Sequence, residues 1–264
     1  MSVTFNGLDI SWLGYACARV EAPDGTVVYT DPGRYGTLTG EWADQYGGSN
    51  HPSGPAFDER DGDLVLVTHD HHYQSDGVRR VASPDATVIV YEEVDADRIN
   101  SDDVGSNVGR NVEPPEDLPH NVERVAYGDA LSVAGVEVDV IPAHNDPDGP
   151  RVDESGEPVH PPGFGCGFRF VVADTSLFWT GDSDVIEDHY DLDVTVFLPS
   201  IAQSFTMNRH EAADLAEELA PELVVPIHYN TFPDLGADSA AFASDVATRS
   251  IPVALAEEWP RRFS

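Results

Sequence analysis

The stretch Leu64-Val65-Leu66-Val67-Thr68-His69-Asp70-His71-His72 is an apolar run that ends in three histidines within four residues. Its first four positions are all apolar, the pattern of a strand covered on both faces. On extended chain, residues i and i+2 point the same way, so His69 and His71 can grip one cation. The same punctuation recurs along the chain. Val138-Asp139-Val140-Ile141-Pro142-Ala143-His144 and Leu223-Val224-Val225-Pro226-Ile227-His228 are apolar runs ending in histidine, and Phe178-Trp179-Thr180-Gly181-Asp182 ends in Gly-Asp. The candidate ligands at these strand ends are therefore His69, His71, His144, Asp182 and His228. Sites in open α/β sheets collect at the carboxyl ends of strands. Imidazole with carboxylate suits zinc, and also manganese or iron.

Around these runs the chain reads as α/β. Val27 to Tyr29, Thr87 to Tyr91, Phe168 to Val172 and Val194 to Leu198 are further short β-branched or aromatic runs. Hairpins are predicted at Asn6-Gly7 and Asp24-Gly25. The clearest helix is Asn208 to Ala220: Asn208 is the N-cap, Glu211 completes a capping box, and Ala212, Leu215, Ala216 and Leu219 form one apolar stripe ended by Pro221. Ser75 to Ala82 and Ala237 to Thr248 are weaker helical patterns. Asp31 to Gly62, Asn100 to Pro119 and Asn145 to Gly163 are long Gly/Pro-rich loops, and loops of that length are usually functional. The first carries Tyr35, Trp42, Tyr46 and Phe57, enough apolar surface for a lid. His51 and His160 lie in such loops and read as solvated loop residues, with an approach to the pocket as the alternative.

Composition excludes several roles. The 264 residues carry 48 acids and 14 cations, every cation an arginine, for a net charge of −34. With 41% hydrophobic residues the chain is nevertheless a folding sequence. Such a charge repels phosphate backbones and anionic membrane surfaces, and no basic patch offsets it. No stretch approaches the ~20 apolar residues of a membrane span. Met1 to Val20 reads as strand rather than signal peptide, and Cys17 and Cys166 make no disulfide framework. A cytoplasmic location is expected, and self-repulsion of this size suits a salt-filled cytoplasm, as in halophilic archaea, where a Debye length of ~3 Å at 1 M screens it. One domain spanning 1–264 accommodates this length.

Read in order, Trp12-Leu13-Gly14, Asp31-Pro32, Thr68-His69-Asp70-His71, Ala143-His144, Gly181-Asp182, Phe205-Thr206-Met207 and His228-Tyr229-Asn230-Thr231-Phe232-Pro233 resemble the metallo-β-lactamase-fold hydrolases, most closely the lactonase-like branch that includes L-ascorbate-6-phosphate lactonase. The resemblance implies a four-layer αββα sandwich with a dinuclear metal site along its edge. It implies a first metal position built from His69, His71 and His144, with Asp182 as the bridging carboxylate and His228 in the second position.

One departure matters. The family run is His-x-His-x-Asp-His, but here Tyr73 stands where the Asp belongs and Gln74 where the second histidine belongs. Only Asp182 and His228 then remain for the second position, so one tight metal and a weak or empty second site are expected. His72 and Asp76 are adjacent candidate substitutes, with Gln74 and Asn230 beside the pocket. The expected function is hydrolysis of a small ester, lactone or phosphoester by metal-bound hydroxide. Asp182 or His228 would act as base or orienter, and Tyr73 would donate to a developing oxyanion. The alternative is a non-catalytic or sensor-like member of the same fold. A nuclease is disfavoured by charge and by the absence of room for a clamping domain. A small-molecule substrate is the expected partner, with homo-oligomerisation left open.

Overall fold

The computed structural model describes residues 2–33, 36–39, 41, 57–101, 111–231 and 233–257. The chain folds into two mixed sheets. The first carries seven strands in sequential order: β1 (Ser2–Phe5), β2 (Leu8–Gly14), β3 (Cys17–Glu21), β4 (Val27–Thr30), β5 (Gly62–Val67), β6 (Ala82–Tyr91) and β7 (Asn121–Val125). Strands β1 to β4 are antiparallel, and β4 to β7 run parallel. The β1–β2 turn falls on Asn6-Gly7, both at positive φ (49° and 82°), the conformation a tight hairpin demands.

The second sheet places β8 (Ala130–Val133), β9 (Val136–Ala143), β10 (Gly165–Val172) and β11 (Thr175–Trp179) antiparallel, then β12 (Val196–Leu198) and β13 (Leu223–Val224) parallel. Pro226 lacks an amide hydrogen, so β13 is shorter than its apolar run. The Val225 and Ile227 amides still donate to Phe197 and Pro199 at 2.8 and 3.0 Å, which carries the chain in register to His228.

Helices flank the sheets: α1 (Ser75–Val81), α2 (Ala96–Ser101), α3 (Arg209–Leu219) and α4 (Ser239–Thr248). In α3 the Asn208 side chain accepts from the His210 and Glu211 amides while Glu211 reaches back to the Asn208 amide, the reciprocal cap expected from sequence. Ala212, Leu215, Ala216 and Leu219 are its buried face. The architecture is the αββα sandwich. One apolar core runs from Leu8 to Ala256 through both sheets. Among the described residues no helix is long and apolar enough to cross a membrane. Tyr35, Trp42, Tyr46 and His51 lie outside the described residues, as does most of the expected lid; Phe57 packs edge-on against Tyr29, ring centroids 6.2 Å apart. Most of the 100–119 loop's first half, 102–110, also lies outside them.

The two sheets meet where their strands end. The Cys166 amide of β10 donates to the Thr68 carbonyl at 3.1 Å, and Trp179 Nε1 donates to Asp31 Oδ2 at 2.7 Å. Gly181 makes a second close approach: it sits at φ +60°, and a Cβ there would lie 2.3 Å from the Cys166 carbonyl oxygen. Only glycine fits both the conformation and the space, so Gly181 sets the turn that aims Asp182.

Candidate metal centre

The chain does not stay extended through the histidine run. It leaves β5 extended at His69 (φ −168°, ψ 178°) and turns at once into a 3-10 helix over Asp70–His72. In a 3-10 turn side chains three apart eclipse. His69 and His72 are therefore brought side by side, ring centroids 4.1 Å apart, with the His72 amide donating to the His69 carbonyl at 3.1 Å. His69 and His71 still share one group of ligand atoms, as the i, i+2 reading expects, and the tight turn brings His72 to the centre as well.

Two groups of potential ligands result, sharing one carboxylate. His69, His71, His160 and Asp182 present one ligand atom each within 4.8 Å of one another, and so do His72, Asp182 and His228. Asp182 Oδ2 lies 3.3 Å from His160 Nε2, 3.5 Å from His69 Nε2 and 3.6 Å from His72 Nε2, while Oδ1 lies 3.0 Å from His228 Nε2. His72 Nε2 and His228 Nε2 are 3.3 Å apart, as are His160 Nε2 and His71 Nδ1. Lone pairs of like character facing one another at these distances repel unless a proton or cation sits between them.

The surroundings orient the rings. Asp31, at the end of β4, accepts from the Thr68 amide at 2.8 Å, from Thr68 Oγ1 at 2.8 Å and from Trp179 Nε1, and lies 3.0 Å from His72 Nδ1. A carboxylate behind an imidazole fixes the tautomer and leaves Nε2 free to ligate. His160 Nδ1 faces the Phe205 carbonyl at 3.3 Å in the same way. Burial pushes His160 down to about 4, and burial with the neighbouring His72 also lowers His69, which favours the neutral, metal-binding imidazole. Burial raises the Asp182 carboxyl, but the charges of His228 and His72 outweigh it and hold the group well below the usual carboxylate range. His228 sits at φ +59°, a strained backbone position for a non-glycine residue, of the kind that clusters at functional sites.

Several expected residues stand elsewhere. His144 is in neither group of ligand atoms; its Nδ1 faces the Asn145 carbonyl at 2.8 Å, the same kind of contact that His160 makes with Phe205. Tyr73 is fully buried and its hydroxyl donates to the Glu113 carbonyl at 2.7 Å, so its proton is committed away from any oxyanion. Asp76 pairs with Arg80 one helical turn on, at 2.6 Å. Gln74 is the residue preceding α1, outside both ligand groups. Asn230 closes its own loop, accepting from the Ala237 amide and donating to the Ala237 carbonyl. Of the two adjacent substitutes named for the second position, His72 stands beside Asp182 and His228, and Asp76 does not.

A sequence profile described as a β-lactamase superfamily domain matches residues 9–228. A UPF0173 metal-dependent hydrolase of Methanopyrus kandleri is 31% identical, over 92% of this chain and 94% of its own. The chain belongs to the β-lactamase superfamily, among the UPF0173 metal-dependent hydrolases. A second such hydrolase, from Thermodesulfovibrio yellowstonii, is 26% identical over 94% and 88% of the two chains. Igni18, a metallo hydrolase from Ignicoccus hospitalis, shares the fold with a TM-score of 0.63 at 20% identity, covering 95% of this chain and 96% of its own. The isothiocyanate hydrolase from Delia radicum gut bacteria does so with a TM-score of 0.62 at 13% identity, covering 94% and 97%. These structural likenesses establish the fold alone.

The residues of this UPF0173 member fit a divalent cation. His69 Nε2 and Asp182 Oδ1 are buried and face the other ligand atoms of the cluster without a well-aligned hydrogen bond, the arrangement that a cation between them satisfies. Imidazole and carboxylate form a borderline donor set suited to transition metals. His160 is the member that sequence reasoning missed, because it lies in a loop rather than at a strand end. The one local signal is its setting, Pro158-Val159-His160-Pro161-Pro162, in which proline restricts the backbone on both sides.

Proposed function

We propose that this protein hydrolyses a small ester, lactone or phosphoester at the His/Asp centre, with zinc as the metal it uses and manganese or iron as alternatives. The single observation that carries this reading is Asp182, shared by both histidine groups, with Oδ2 facing His69, His160 and His72 and Oδ1 facing His228. The first position would be held by His69, His71, His160 and Asp182, the second by His72, His228 and Asp182. A divalent cation bound there would supply Lewis acidity and bring the pKa of coordinated water towards ~7.

The protein's own groups then have defined tasks. Asp182 would hold both positions in one register and serve as base or orienter for water at the centre. His228, held at its positive-φ position, would present Nε2 to the second position and help orient water there. Asp31 keeps His72 in the ligating tautomer. Phe164, with ring centroids 5.3–5.8 Å from His69, His71 and His160, shields that flank from bulk water. The sensor-like alternative is motivated by Tyr73 and Gln74 in place of the family's ligands, and His72, beside Asp182 and His228, weighs against it.

The fold leaves the substrate open. CmlA from Streptomyces venezuelae, a diiron β-hydroxylase, shares it with a TM-score of 0.59 at 15% identity, covering 95% of this chain and 53% of its own. A small-molecule substrate is favoured over nucleic acid by the net charge of −34. The same charge supports a working environment rich in salt, a cytoplasm of that kind included. The test is metal analysis of protein purified in high salt, together with ester, lactone and phosphodiester screens. Bound metal with turnover on one class supports the reading; bound metal with no turnover on any class returns the sensor-like alternative; absence of tight metal sinks both.

A further inference from the structure

The loop that carries His160 is a built object rather than a slack connection. Its ends are tied to each other: the Asn145 amide donates to the His160 carbonyl at 2.8 Å, and the His160 amide donates to Asn145 Oδ1 at 2.9 Å. Between these ties the chain folds into a small hairpin, with a bridge between Val152 and Pro158 and the Asp153 amide donating to the Glu157 carbonyl at 2.8 Å. Closed ends and an internal fold are the marks of an Ω-loop, the compact loop type most often found at functional sites.

An arginine staples this loop to the turn that bears the bridging carboxylate. Arg151 is the one arginine buried among the described residues, in a chain whose cations are all arginine. Its Nη1 pairs with Asp184 Oδ1 at 2.7 Å, its Nη2 pairs with Glu211 of α3, and its Nε donates to the Gln203 carbonyl at 3.2 Å. Asp184 also accepts from the Asp146 amide at 2.9 Å and from Asn145 Nδ2 at 3.3 Å. Asp184 lies two residues beyond Asp182. The loop's anchor and the shared ligand therefore ride on one turn, and the Arg151 carbonyl accepts from the Val159 amide at 3.1 Å, directly before His160. A buried arginine and carboxylate repay their desolvation only with this many partners.

We propose that residues 145–160 form a ligand-bearing loop in which His160, not the strand-end His144, completes the first metal position, and in which Arg151 is the positioning residue that seats it. The inference rests on the metal-centre reading above. Its consequence is that metal loading and loop closure are one event: binding at His160 stabilises the closed loop, and the closed loop pre-places the ligand.

The experiment is zinc titration of the full chain against a competing chelator, with cobalt(II) absorption as an independent report on the coordination sphere. His144→Ala keeps wild-type affinity within about threefold and an unchanged cobalt spectrum. His160→Ala changes the spectrum and weakens binding by more than the about 10–100-fold typical of an outer-shell loss. Arg151→Met weakens binding by about 10–100-fold with the spectrum retained at saturating metal, and Arg151→Lys restores part of it. In the wild type, stripping the metal exposes the Glu154–Glu157 segment to a glutamyl protease, and zinc protects it. Should Arg151→Met fail to fold, the His160 and His144 variants and the protection assay decide alone. Loss of metal in His144→Ala with retention in His160→Ala overturns the inference and leaves the metal centre intact. Retention in both variants overturns it as well. A wild-type chain that binds no metal defeats the underlying reading instead.

Discussion

The two flanks of the metal centre are built by different means. On the flank of the first sheet, His72 is backed by Asp31, Thr68 and Trp179, all fully buried and all at strand ends of the sandwich. On the other flank, His160 is backed by Asn145, Arg151 and Asp184, groups that belong to a loop and the turn it rests on. The first arrangement is inherited from the core: its hydrogen bonds break only when the sandwich opens. The second is local, and its opening can cost far less than global unfolding. A centre with one rigid and one closable flank can be pre-organised for its metal and still admit it.

The four buried acids among the described residues sharpen the contrast. Asp31, Asp70, Asp182 and Asp184 all stand at this centre, whereas no glutamate of the described chain is buried. Each has a cationic or hydrogen-bonding partner there: Asp70, for example, pairs with Arg98, whose guanidinium lies 5.6 Å from the Phe164 ring centroid. The surface acids answer to solvent and salt; these four answer to the site.

The largest effect should come from the residue both flanks share. Asp182→Ala removes a ligand from each group at once, and bound metal after dialysis against a chelator should fall to background with activity lost alongside it. If this variant keeps one tight metal, the two groups are not joined through Asp182. Next is Asp31→Asn, which acts on the rigid flank. It places an amide NH2 against donors from Thr68 and Trp179, and should cost about 1–3 kcal/mol of global stability together with about 10–100-fold in metal affinity. Denaturant unfolding and chelator competition measure the two parts separately. An unchanged affinity would mean that Asp31 supports the core and not the ligand.

Asn145→Ala probes the closable flank. It deletes the bond from the His160 amide to Asn145 Oδ1 and the bonds from Asn145 Nδ2 to Asp184 and Phe205, each worth about 1 kcal/mol, while the backbone tie to the His160 carbonyl stays, and the lost bonds guard only the loop. Global melting should therefore move little, while amide exchange over residues 146–160 accelerates several-fold. An equal loss of protection throughout the sandwich would erase the distinction between the flanks.

What the sequence reveals follows the same division. Strand ends announce themselves, because a strand buried on both faces is a continuous apolar run and its last residue is exposed by contrast. That made Asp182, His228, His69 and His71 visible, and it made the sandwich visible through the resemblance they carry. The 3-10 turn at Asp70–His72 was not visible, since three residues of local backbone decide whether His72 turns into the centre beside His69 and His71. His160 was hidden for a different reason: its position depends on a salt bridge between Arg151 and Asp184, 33 residues apart in sequence, and no periodicity encodes such a pairing. His144 was favoured by the same strand-end rule, yet its ring stands outside both groups of ligand atoms.

The smallest effect is expected at Tyr73, the residue whose substitution into the family motif first suggested altered chemistry. Its hydroxyl spans from the 3-10 turn to the Glu113 carbonyl, and its ring is fully buried. Tyr73→Phe keeps the ring and loses one hydrogen bond, leaving the Glu113 carbonyl without that donor. The expected cost is about 1 kcal/mol of stability, with metal content unchanged and turnover within about twofold of wild type on whatever substrate the screens identify. The comparison to make is with Asp31→Asn, since both residues lie behind the same histidine run. Asp31 reaches His72 directly, whereas Tyr73 reaches only backbone on the far side. If Tyr73→Phe instead loses rate at full metal loading, the hydroxyl must leave Glu113 during turnover, and the rigid flank would have to move as well as the loop.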